Sequence, residues 1–95
     1  GIDVLACPTM FQSAHPITMD EMYAPDMDRD PAFQRFTVPF DLNGAPTISL
    51  PCGFDTDGMP MSLQFVGHPL SENLLCWIGH AYESVTEWHK MHPVP

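Results

Sequence analysis

The sequence predicts an α/β fold, and three observations carry that expectation. A short apolar run over residues 2–7 stops at Pro8. Two arms, 46–54 and 59–66, alternate apolar with more polar residues on either side of Asp55-Thr56-Asp57-Gly58. An apolar stripe then recurs at helical spacing from Leu74 to Trp88. Size sets the scale: for 95 residues, surface scaling leaves roughly 5,500 Å² exposed out of roughly 15,000 Å² in the open chain. That is room for one small core, so residues 1–95 are expected to form a single domain.

Residues 2–7 (Ile-Asp-Val-Leu-Ala-Cys) show no strict alternation apart from Asp3. This pattern suits a strand buried on both faces. Residues 11–30 carry Asp20, Glu21, Asp26, Asp28 and Asp30, with Pro16 and Pro25 interrupting. They read as a long surface loop with one helical turn near Met19–Met22, and loops of this length tend to be functional or mobile.

Asp30-Pro31 reads as a helix start, Asp30 accepting from free N–H groups and Pro31 fitting the first turn. The helix is expected over 31–43, with Phe33, Phe36 and Phe40 at spacings of three and four and a kink at Pro39. Gly44 suits the left-handed position that ends it. In the hairpin 46–54/59–66, Ile48 and Leu50 share the oily face with Met61, Leu63 and Phe65; Thr47, Ser49, Ser62 and Gln64 mark the other. The turn supplies Asp55 for initiation and Gly58 for positive φ. The last helix is expected over 72–90. Ser71 is its N-cap, Leu70 staples onto Leu75, and Leu74, Ile78, Ala81, Val85 and Trp88 form the stripe. His89, Lys90 and His92 then sit where the helix dipole favours positive charge, and Pro93 closes the element.

Composition narrows function. Arg29, Arg35 and Lys90 face twelve acids, for a net charge of −9. Three dispersed bases supply no phosphate-binding face, so neither nucleic acid nor an anionic membrane is an expected partner. No apolar run approaches the ~20 residues of a membrane span. The chain lacks an initiator Met and opens directly into an apolar run, which suggests a piece of something longer. Cys7, Cys52 and Cys76 form no Cys-x-x-Cys pair and read as small buried hydrophobes in a reduced, cytoplasmic compartment.

Local chemistry gives no catalytic constellation. No serine lies in a Gly-x-Ser-x-Gly elbow, and Cys52 has no neighbouring base in the sequence. His80, Glu83, Glu87, His89 and His92 match no metal signature and read as polar residues at a helix end. Gly44, Gly53, Gly58 and Gly67 serve turns and match no nucleotide fingerprint, so no cofactor or metal is expected.

Residues 40–67, FDLNGAPTISLPCGFDTDGMPMSLQFVG, resemble the carboxy-terminal signature of the amidase signature family. Pro39, Asp41 (for the usual Asn), Gly44 and Pro46 follow its first stretch. Pro51-Cys52-Gly53, Gly58, Pro60, Leu63-Gln64 and Gly67 follow in order. Asp3-Val4-Leu5 with Pro8-Thr9 resembles an upstream strand. Glu72, Leu74-Leu75, Ala81, Glu83 and Trp88-His89 resemble the last helix.

The resemblance implies a carboxy-terminal fragment of a larger amidase with a mixed β-sheet between helix layers. Its partner is then the rest of its own polypeptide, and its substrate a small-molecule amide. Such enzymes cleave amide C–N bonds with a Ser-cisSer-Lys triad and a Gly/Ser-rich oxyanion hole. Those parts lie upstream of the matched region, so the resemblance implies no catalytic residue here, an inactive isolated chain, and exposed edges that favour self-association. It also implies a substrate-channel wall at Thr9, Met10 and Phe11 and on through the helix to Phe36. Met10, Phe11, Met22, Phe33 and Phe36 then suit an apolar acyl or aryl pocket, with core packing as the alternative for each. The family's glutamine-using branch, the A chains of tRNA-dependent amidotransferases, carries an acid three positions before the Thr matching Thr37. Gln34 stands there, which favours a general amidase over that branch. A non-catalytic α/β interaction module is the remaining alternative.

Overall fold

The structure is a computed structural model and describes residues 1–23 and 31–94. Strand β1 (Val4–Pro8) leads through α1 (Met19–Tyr23) and a 3-10 turn (Pro31–Gln34) to α2 (Val38–Asn43). The hairpin β2 (Thr47–Phe54) and β3 (Pro60–Gly67) follows, then α3 (Glu72–Ser84) and a second 3-10 turn (Trp88–Lys90). The three strands form one sheet in the order β1-β3-β2, antiparallel throughout. The α/β class thus holds, and among the described residues the mixed sheet implied by the resemblance is present as antiparallel pairs alone.

The hairpin forms where the alternation places it. In its turn the Asp55 carboxylate accepts from the N–H groups of Asp57 and Met59, both at 2.8–2.9 Å, and Gly58 adopts φ 78°. Ile48 pairs with Phe65 and Leu50 with Leu63, and α3 lies across this oily face. Its Gly79 comes so close that an added Cβ would stand 2.9 Å from Ile48 Cδ1 and 3.8 Å from the Leu50 methyls. Leu50 and Leu75 are buried here, while Val66 is buried on the opposite face, where it lines a shallow cavity with Leu5 and Phe40.

Several elements differ from expectation. The strand expected over 2–7 runs from Val4 to Pro8, and it is not buried on both faces: among the described residues it pairs with β3 alone, and Leu5 is exposed. The helix expected over 31–43 is two pieces. Thr37 closes the first turn onto the Gln34 carbonyl, and its own carbonyl accepts from Phe40 and Asp41 to start α2. Pro39 lies in that first turn, where a missing N–H leaves nothing unsatisfied, so it opens a helix instead of kinking one. Gly44 takes the left-handed conformation, φ 69°. The cap assigned to Asp30 lies outside the described residues.

The helix expected over 72–90 stops at Ser84. The Val85 N–H bonds the Tyr82 carbonyl in place of that of Ala81, while Ser84 Oγ donates to the Ala81 carbonyl and Thr86 Oγ1 to that of Tyr82, back-bonds that disfavour further helix. Val85 is consequently exposed, and Trp88 folds back against Gly53 and Phe54. Ser71 makes no side-chain cap; its hydroxyl donates to the His68 carbonyl. Leu70 is 90% exposed with φ 64° and staples nothing. Cys7 and Cys52 are half-buried, but Cys76, expected inside, is exposed on α3.

The total exposed surface is 7420 Å², against roughly 5,500 Å² for a compact domain of this mass. The Cα radius of gyration, 15.7 Å, likewise exceeds the ~12.4 Å of a compact chain of this length. Trp77, Val85 and Leu42 each expose about 80% or more of their surface. Among the described residues, no helix is long and apolar enough to cross a membrane.

Candidate functional site

Beyond Pro8 the chain stays on the sheet for one more bond, Thr9 N–H to the Ser62 carbonyl at 3.2 Å. It then arches over the turn end of the hairpin. The arch is tied down at its middle, where Ser13 Oγ donates to the Asp55 carboxylate. That bond, joined by the Met59 N–H, holds the Asp55 carboxyl below its ordinary range.

Between arch and hairpin lies a cleft of about 680 Å³, lined by Met10, Phe11, Phe33, Cys52, Met61 and Leu63 among others. Phe33 reaches it from the first 3-10 turn and meets Phe11 edge to face, centroids 5.0 Å apart. The Arg35 guanidinium lies over the Phe11 ring at 5.7 Å. His15 tilts against Phe33 at 6.1 Å.

Of the wall positions expected from sequence, Met10 and Phe11 line this cleft together with Phe33. Thr9 and Phe36 do not. Thr9 Oγ1 points to Ser49 Oγ at 3.5 Å. Phe36 is half-buried, and its carbonyl accepts from the Gln64 side chain. Met22 is exposed on α1 and lines no part of the cleft.

Ser13 and Gln64 are anchors whose partners no local sequence signal marks. Ser13 lies in a stretch without periodicity, and Gln64, though part of the Leu63-Gln64 signature, reads by alternation only as a polar arm position. Gln64 is 3% exposed and is the buried polar residue of the sheet.

The chemistry available in the cleft is mainly apolar binding. Its walls are mostly hydrocarbon, aromatic and thioether groups, with Gln12, Ser13, His15 and Ser62 also on the lining, and suit an acyl chain or ring. Among the described residues no base is hydrogen-bonded to the Cys52 thiol, and no three His, Cys, Asp or Glu side chains gather as metal ligands. Lys90 is paired with Glu87 at 2.8 Å in the second 3-10 turn.

Residues 1–76 match the model of the family described as Amidase. Over 97% of its length the chain is 39% identical to the A chain of the glutamyl-tRNA(Gln) amidotransferase of Cyanothece sp.. Over 98% it is 42% identical to the corresponding protein from Microcystis aeruginosa. Over 97% it is 40% identical to that of Picosynechococcus sp.. The chain spans 18–19% of the length of these relatives.

Proposed function

This chain belongs to the Amidase family, and we propose that it forms the carboxy-terminal portion of an enzyme hydrolysing a carboxylic amide C–N bond. In this reading the Ser-cisSer-Lys machinery lies outside residues 1–95. The present segment supplies core sheet and one wall of the substrate cleft. The rest of the polypeptide covers the exposed strand edges and the outer face of α3.

The observation that carries the reading is the gathering of Met10, Phe11 and Phe33 around one apolar cleft beyond the end of β1. A hydrocarbon or aryl group seated there leaves the amide carbonyl for a nucleophile supplied from elsewhere. Its binding contributes through apolar burial, about 25 cal/mol per Å². A cytoplasmic location belongs to the same reading and rests on the three free cysteines. The test is amide hydrolysis by the longer polypeptide, with Phe11→Ala and Phe33→Ala compared on aryl and on short aliphatic amides. A higher KM confined to the aryl amides is expected; equal KM values across variants contradict it.

A second reading is favoured by the names of the relatives: the A chain of an amidotransferase, taking its amide from glutamine. Gln34, in place of the acid expected for that branch, is exposed in the first 3-10 turn. A glutaminase assay with and without partner proteins separates the two. Glutamine turnover that depends on partners supports the second reading and displaces the first.

A further inference from the structure

We infer that Gln64 is a positioning residue that sets the shape of the apolar cleft by tying the base of the arch and the chain just after the Phe33 turn to the central strand. The inference rests on the proposed role of the cleft and names a residue outside its lining. Gln64 sits in β3 with Cys7 of β1 opposite it on one side and Ser49 of β2 on the other. Its side chain is buried, with the residue 3% exposed, so its amide N–H groups need partners inside the protein. Nε2 has two, one at the base of the arch and one just beyond the Phe33 turn. One is the Phe36 carbonyl, in the bend between the first 3-10 turn and α2. The other is the Pro8 carbonyl at the end of β1, at 3.4 Å.

A side-chain amide nitrogen carries two N–H donors, so this pair of carbonyls uses its full donor capacity. Pro8 itself lines the cleft, and Met10 and Phe11 follow it; Phe33 precedes Phe36 by one turn. The Gln64 amide therefore fixes the arch strand end and the Phe33 turn relative to one another. A residue with acceptors alone at this site faces two carbonyl oxygens and pushes them apart.

The experiment compares Gln64→Glu and Gln64→Met in the full polypeptide on an aryl amide and on acetamide, with Phe33→Ala beside them. Both Gln64 variants are expected to raise KM for the aryl amide roughly tenfold, leaving kcat and the acetamide KM within about twofold. A uniform loss on both amides, or none, overturns the inference, because a residue that only stabilises the fold does not discriminate by substrate size. Should Gln64→Glu fail to accumulate, Gln64→Met decides by the same comparison, since it keeps the length and adds no charge. An unchanged aryl-amide KM in Phe33→Ala shows instead that the cleft is not the binding site. That result removes the reading on which the inference stands, and the inference with it.

Discussion

Phe11 and Phe33 pack edge to face, with centroids 5.0 Å apart and planes at 84°. One ring comes from the arch after β1 and the other from the turn before α2, so the pair closes the cleft between two elements distant in sequence. Phe33 is half-buried, so Phe33→Ala is expected to cost less than the ~3–5 kcal/mol of a fully buried ring, about 1–2 kcal/mol. A double-mutant cycle with Phe11→Ala in denaturant unfolding should return a coupling of about 0.5–1.5 kcal/mol. Strict additivity speaks against the contact.

The Ser13–Asp55 bond makes arch stability depend on pH. The Asp55 carboxyl titrates below its ordinary value of 3.8, first because of Ser13 and next because of the Met59 N–H. The unfolded chain therefore takes up this proton at higher pH than the folded one. The stabilisation is complete well above pH 3.8 and is lost as pH falls through the lower folded-state value. Thermal unfolding of the wild type and Asp55→Asn should converge below that pH and diverge above it. A pH-independent difference contradicts the assignment.

Gly53 stands at the irregularity in the β2–β3 register with φ 130°. A Cβ there meets only the Trp88 ring at 3.8 Å, an ordinary contact. The cost of Gly53→Ala is then conformational, about 1–3 kcal/mol. Adding Trp88→Ala should not restore the loss in denaturant unfolding. Recovery by that second change points to crowding instead.

The sheet and α3 were legible because their signals are periodic. Ile48, Leu50, Leu63 and Phe65 alternate, and Leu75 with Gly79 backs onto them. Element ends were less legible because they depend on hydroxyls and backbone angles that periodicity ignores. At the end of α3 the hydroxyls of Ser84 and Thr86 bond carbonyls within it, and Leu70 turns away at φ 64°. Of the cleft, Met10 and Phe11 were legible only through a family resemblance. The cross-chain ties from Ser13 to Asp55 and from Gln64 to Pro8 and Phe36 join residues whose pairing no local pattern encodes.

Trp77 and Val85 are each at least 80% exposed, and β1 and β2 both stand at sheet edges. Such edges and apolar patches template association. The isolated 95-residue chain is expected to form concentration-dependent oligomers in sedimentation velocity. A single monomeric species across the accessible concentration range contradicts this.

In the proposed enzyme, residues 1–95 furnish the cleft wall of an amide hydrolase and not its nucleophile. Reaction of the longer polypeptide with a serine-directed fluorophosphonate, followed by peptide mapping, decides the point. Activity-dependent labelling of a serine outside this segment is expected. Labelling at Ser13, Ser49, Ser62, Ser71 or Ser84 contradicts it.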